Sequence, residues 1–180
     1  MQIFIDYVRK LPRSKADNTA ILVCVEAFCK FVRMISIRQV TTRTTIKNLK
    51  ERIFSSFYVP DNLVSDNAQC FSSRGFWKFC FELGLKHVTT SPYFPQPSHA
   101  KRFNRNMRAA LVAYQSGAHT TWDQNLTWLQ LAFNTAEHES TKAAPFVVIF
   151  PFRTASPLIN QWKINDLLPE RRNKRVLQQK

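Results

Sequence analysis

Apolar residues alternate through Gln2–Val8, with Ile3, Ile5 and Tyr7 on one side and Phe4, Asp6 and Val8 on the other. That period of two predicts a strand and places Asp6 in apolar company. Ala20–Val25 is an unbroken apolar run, the pattern of a central strand covered on both faces, and Phe31–Ile37 follows after a link short enough for a hairpin. Together these runs predict an antiparallel meander. The period then changes: Ile46, Leu49, Ile53 and Phe57 recur at helical spacing within Thr41–Phe57, with Lys47, Lys50, Glu51 and Arg52 around the rest of the cylinder. Leu63 and Val64 lead into Asp66 as a short fourth strand, Arg74–Phe81 reads as a helix, and Lys86–Thr90 supplies a fifth strand.

Three prolines in Ser91–Pro97 exclude a helix or an internal strand there, so a loop is expected before a helix capped near Ser98. Phe103, Met107, Ala110, Leu111 and Tyr114 would line its buried face. Trp122, Leu126, Leu129, Phe133 and Ala136 mark a second helix, with Asp123 expected in its first turn, where the macrodipole favours an anion. The order of strands and helices predicts an α/β fold. Beyond Pro157 the apolar period fades into a basic stretch with Arg171, Arg172, Lys174 and Arg175, so the expected division is a core over 1–157 and a basic tail over 158–180.

Length and composition agree with one domain: 180 residues of 44% apolar content can bury a core of ordinary size. Charge adds more. Twenty-six Lys and Arg against twelve Asp and Glu leave a formal net charge of +14, which points to a polyanionic partner. Nucleic acid is favoured over a membrane, because no apolar run approaches the ~18 residues of a transmembrane span. Cys24, Cys29, Cys70 and Cys80 form no Cys-x-x-Cys pair and are expected to be reduced core residues.

The candidate chemistry lies in two aspartates. Asp6, inside the first strand, and Asp66, at the end of the fourth, would meet if those strands are neighbours. Paired carboxylates suit hard cations such as magnesium, which prefer oxygen ligands and can assist phosphoryl transfer. The spacing alone equally allows Asp66, within Ser65-Asp66-Asn67, to be an ordinary Asx turn or cap, and Asp6 to pair with a basic residue.

Longer ordered segments carry a resemblance. Asp6-Tyr7-Val8 with Leu11-Pro12, Ile21-Leu22-Val23-Cys24-Val25, Val59-Pro60 and Leu63-Val64-Ser65-Asp66-Asn67-Ala68-Gln69-Cys70-Phe71 are followed by Leu83-Gly84-Leu85-Lys86-His87, Thr90-Ser91-Pro92-Tyr93-Phe94-Pro95-Gln96 and Arg102-Phe103-Asn104-Arg105. Asn134-Thr135-Ala136, His138-Glu139-Ser140-Thr141 and Pro145-Phe146 complete the series. The whole resembles the integrase catalytic cores of long-terminal-repeat retrotransposons and retroviruses, from Gln2 to about Arg153. The resemblance implies a ribonuclease-H-like fold, a five-stranded mixed sheet flanked by helices. It also implies Mg2+ or Mn2+ held by two aspartates and a glutamate, transfer of a DNA 3′ hydroxyl into a target strand, and a nuclear, intracellular location. Asp6 and Asp66 match the catalytic, metal-binding aspartates.

The third acid does not match. Lys101 stands in the glutamate's place, and Pro97-Ser98-His99-Ala100-Lys101 leaves the segment one residue short of the family spacing. At ~4 Å and an effective dielectric of about 20, each unit charge is worth roughly 4 kcal/mol, so exchanging an anion for a cation is expected to weaken metal binding. His99 is the nearest alternative ligand in sequence. Other departures are Arg9-Lys10 for the family's Gly-Pro, and Ala68 and Lys142 for glycines.

Lys101, Arg105 and Arg108 fall at i, i+4 and i+7, a cationic stripe suited to phosphate backbones. In the proline-rich loop, Tyr93 and Phe94 are candidates for touching nucleic acid, whereas Phe103, Trp122 and Phe133 are expected to pack. The expectation is therefore a DNA-binding integrase-core domain, impaired as an enzyme, standing as a fragment or isolated core without the family's zinc-binding and carboxy-terminal modules. The alternatives are an active metal-dependent strand transferase with a rearranged site, or a non-catalytic module for protein interaction and homodimerisation.

Overall fold

The computed structural model describes residues 1–57, 59–90, 110 and 120–150. The chain divides into two compact units, Met1–Ile149 and Phe150–Lys180, and the fold set out here is that of the first. The expected boundary at 157 and 158, the basic tail, and the segment from Ser91 to Arg108 with Tyr93, Phe94, His99, Lys101, Arg105 and Arg108 lie outside the described residues.

Five strands form one mixed sheet in the order β3-β2-β1-β4-β5, comprising β1 (Gln2–Val8), β2 (Ala20–Glu26), β3 (Val32–Ile37), β4 (Asn62–Ser65) and β5 (Lys86–Thr89). The predicted meander is present: β1 pairs antiparallel with β2, placing Asp6 opposite Val23, and β2 pairs antiparallel with β3. The other two strands run parallel, β4 beside β1 and β5 beside β4. Alternation divides the core between the two faces. Ile3, Ile5, Tyr7, Leu22, Cys24 and Ile35 pack on one face with Leu63, Phe71, Phe76 and Phe79. Val8, Ile21, Val23, Val25, Val32 and Met34 pack on the other with Trp122 and Leu126.

The first face is covered by a helical stretch of α1 (Thr42–Asn48), a wide π-type turn (Leu49–Phe54) and α2 (Ser55–Phe57). Sequence periodicity foresaw the helix but not the wide turn, which carries Leu49, Ile53 and Phe54 inward together. It also missed Thr45, which is fully buried. That hydroxyl is tolerated because it donates to the Thr41 carbonyl at 2.7 Å and shares a hydrogen bond with the Tyr7 hydroxyl at 2.8 Å. Next come a short helix, α3 (Gln69–Ser72), and α4 (Arg74–Glu82), capped by the Ser73 hydroxyl. Gly84 closes α4 at φ +67, a conformation that side chains resist, and lets the Leu85 amide return to the Cys80 carbonyl at 3.1 Å. That turn aims the chain into β5.

On the second face α5 (Leu126–Thr135) lies against β3, and a short helix, α6 (Pro145–Ile149), follows. Two expectations are corrected here. Asp123 precedes α5 rather than lying in its first turn, and its Oδ2 accepts hydrogen bonds from Ser14 Oγ at 2.6 Å and Asn18 Nδ2 at 2.8 Å. Burial pushes the Asp123 carboxyl upward, but these two bonds outweigh it and hold the group below the usual range. Ala136 is an exposed cap, not a core residue. The position buried in its stead is Asn134, whose amide grips the backbone of the edge strand. Its Oδ1 accepts from the Val32 N–H at 2.8 Å and its Nδ2 donates to the Val32 carbonyl at 2.8 Å, while Gln130 Oε1 accepts from the Met34 N–H at 2.8 Å. A sheet edge that would otherwise offer open backbone groups is thereby closed. All four cysteines are free and buried, as expected. Among the described residues no helix is long and apolar enough to cross a membrane.

Candidate active site

The strand order fixes where a ligand can be met. From β1 the chain turns one way to β2 and β3 and then crosses to β4 and β5 on the other side, so β1 and β4 flank the point at which the winding reverses. In open α/β sheets, ligands bind in the crevice beyond the carboxyl ends of the strands at such a point. Asp6 and Asp66 stand there. The pairing Gln2↔Asn62, Ile3↔Leu63 and Phe4↔Val64 keeps a constant offset, and the same offset along the sequence relates Asp6 to Asp66, which follows the end of β4 at Ser65. Within β1, Asp6 alternates onto the Phe4 and Val8 side of the sheet.

Local geometry holds each of them. Asp6 is half-buried, and its Oδ1 accepts from the Tyr7 N–H at 2.7 Å. Asp66 is also half-buried, and its Oδ1 accepts from the Ala68 N–H at 3.0 Å. The Asx turn that the sequence allowed is therefore formed, and it orients the carboxylate at the strand end. Just before it, Ser65 is buried, donates its hydroxyl to the Asp66 carbonyl at 2.8 Å and accepts the Thr90 N–H on its own carbonyl at 2.8 Å.

A cation borders the pair. Arg9 is exposed, lies 5.6 Å from the Tyr7 ring centroid and reaches Cys70 Sγ at 3.6 Å. Burial pushes the Cys70 thiol up; Arg9 opposes this and the Asp66 charge adds to it, so Cys70 stays a neutral thiol between the two. Among the described residues no group of three or more His, Cys, Asp or Glu could hold a metal ion. Asp6 lies on β1 and Asp66 just beyond the end of its parallel neighbour β4, whereas Lys101, Arg105 and Arg108 fall outside the described residues.

The departures at glycine positions differ in cost. Lys142 adopts φ +51, a left-handed backbone that favours glycine. Ala68 sits at φ −61, which any residue adopts, so the change there carries no backbone strain.

A mixed five-stranded sheet in the order β3-β2-β1-β4-β5, flanked by helices, is a ribonuclease-H-like architecture. The family model described as the integrase core domain matches residues 2–95, and the chain belongs to that family. It is 26% identical over 156 residues to the transposon Tf2-3 polyprotein of Schizosaccharomyces pombe, an alignment that takes in 85% of this chain and 12% of the polyprotein. The chain therefore spans a small part of the curated relatives it matches. Among solved structures, the catalytic core domain of BIV integrase superposes with a TM-score of 0.63 at 23% identity, covering 82% of this chain and 91% of that one. The HTLV-2 integrase catalytic core domain in complex with magnesium gives 0.65 at 18% identity, covering 81% and 93%. A chain of the simian T-cell lymphotropic virus intasome gives 0.71 at 20% identity, covering 87% and 58%.

Proposed function

We propose that this integrase core binds DNA at the carboxyl end of β1 and β4, uses Asp6 and Asp66 as divalent-cation ligands, and is impaired in polynucleotidyl transfer by Lys101. The observation that supports this most is the parallel pairing of β1, which carries Asp6, with β4, whose carboxyl end leads directly into Asp66. Strand-borne carboxylates are stiff oxygen donors of the kind Mg2+ and Mn2+ take, and they fit one such ion. A two-ion site needs more carboxylates than the described residues assemble. A bound ion would offset the negative charge that develops on a transferring phosphoryl group. A cation at Lys101, in the position of the family's glutamate, would work against that ion and add to the attraction for phosphates.

The net charge of +14 supports DNA as partner, with Lys101, Arg105, Arg108 and Tyr93 as proposed contacts. The magnesium complex of the HTLV-2 core supports the ion class, and its trimeric form supports self-association as a further proposal. A nuclear location follows from DNA as partner. The test is strand transfer on a labelled duplex in Mn2+, comparing this chain with a variant carrying Lys101→Glu and one residue inserted before it. Activity confined to the repaired variant is the expected result; activity in the unaltered chain would show that another ligand completes the site.

A further inference from the structure

Next to Asp66, two buried polar side chains form a chain of hydrogen bonds that the acidic residues do not use directly. Ser65 is 2% exposed and His87, on β5, is 7% exposed, and Ser65 Oγ lies 2.9 Å from His87 Nε2. The direction of each bond follows from the inventory of protons. A carbonyl only accepts, so the single hydroxyl proton of Ser65 goes to the Asp66 carbonyl at 2.8 Å. The lone pairs of Ser65 Oγ are left to accept, and His87 must supply Nε2–H. His87 is then the Nε2–H tautomer.

The surroundings fix that state. His87 Nδ1 is buried with no hydrogen-bond partner among the described residues, and the ring packs against Phe76 at 5.0 Å and Trp77 at 4.6 Å between centroids. A second proton on Nδ1 would place a cation in an aromatic enclosure with no acceptor, so the neutral ring is the one that fits. A neutral ring with one N–H has one use here, which is to set the Ser65 hydroxyl. That hydroxyl in turn fixes the peptide that leaves β4 and carries Asp66.

We infer that His87 and Ser65 are positioning residues: the run from His87 Nε2–H through Ser65 Oγ–H to the Asp66 carbonyl sets the peptide that aims the Asp66 carboxylate. This rests on the acidic-site proposal for its purpose, but its geometry is testable without any metal. Partners that orient a ligating side chain in this way commonly contribute about ten- to hundredfold in metal affinity.

The variants are Ser65→Ala, His87→Phe and His87→Gln. Phenylalanine keeps an aromatic ring between Phe76 and Trp77 and removes the N–H; glutamine can return an N–H at the height of Nε2. The first measurement is hydrogen exchange of the Ala68 amide, which donates to Asp66 Oδ1, in the metal-free protein. Ser65→Ala and His87→Phe are expected to speed that exchange several-fold while leaving the β1 amides of Ile5 and Tyr7 unchanged, and His87→Gln is expected to restore it. The second is Mn2+ binding by the same proteins beside Asp66→Asn, with an expected loss of about tenfold in Ser65→Ala and His87→Phe and recovery in His87→Gln. Unchanged Ala68 exchange in Ser65→Ala and His87→Phe would overturn the positioning role. Equal quickening across the whole sheet would do the same, by showing mere loss of stability. Altered Ala68 exchange together with Mn2+ binding indifferent to Asp66→Asn would leave the positioning intact and overturn the acidic site instead.

Discussion

Two places on the sheet use polar side chains in opposite ways. At the β3 edge, Asn134 and Gln130 of α5 satisfy backbone groups of Val32 and Met34, and Asn134 spends donor and acceptor on a single residue while almost wholly buried. At β1 and the end of β4, two adjacent parallel strands, Asp6 and Asp66 are half-buried and held by local backbone N–H donors. The first arrangement lowers the free energy of the fold by leaving no buried backbone group unpaired. The second presents two carboxylates at strand ends, where the proposed cation would bind.

This contrast can be broken or sharpened by substitution. The largest effect is expected at the β3 edge: Asn134→Leu removes two hydrogen bonds and orphans a buried N–H and C=O, costing about 2–4 kcal/mol in urea unfolding. Its Mn2+ affinity, measured under folding conditions, should be unchanged. Asp66→Asn should do the reverse, with Mn2+ affinity falling at least about tenfold and the unfolding midpoint steady or slightly raised. A large loss of stability in Asp66→Asn would erase the distinction between the two regions.

The dependence on pH comes next. Burial holds the His87 imidazole below its ordinary value of 6.5. Its folded value is thus below its unfolded one, so its contribution is fully present above 6.5 and is lost as pH falls through the folded value. Thermal unfolding followed from pH 7.5 downward should show His87→Phe losing less stability than the unaltered chain, and equal slopes would place the sensitivity elsewhere. The smallest effect is expected at Lys142→Gly. Relieving φ +51 should raise stability by about 0.5–1 kcal/mol, whereas Ala68→Gly, at φ −61, should give no gain.

Much of this was legible in the chain. Alternation in Gln2–Val8 and the apolar run from Ala20 gave the meander, since a period of two is a direct imprint of a sheet face. Asp6 and Asp66 were legible as candidates, but their meeting depended on β1 and β4 being neighbours, which no local pattern encodes. The wide turn at Leu49–Phe54 was hidden because inserting one residue in a helical turn barely disturbs the apolar spacing. Asn134 was hidden because a buried amide facing a strand edge has the same sequence signature as an exposed one. Asp123 was assigned to a helix by its position, yet two side chains from the Ser14–Asn18 loop claim it first. His87 left a trace: Lys86 and Val88 are outward on β5, which made His87 an inward polar residue in need of a partner.

The most direct test is calorimetric titration of Mn2+ into four proteins: the unaltered chain, Asp6→Asn, Asp66→Asn and Lys101→Glu, the last with one residue inserted before it. Weak binding by the unaltered chain, abolished by either asparagine and strengthened at least about tenfold by Lys101→Glu, is the expected result. Binding that ignores both asparagines, or a Lys101→Glu variant no tighter than the unaltered chain, would contradict an impaired acidic site built on Asp6 and Asp66.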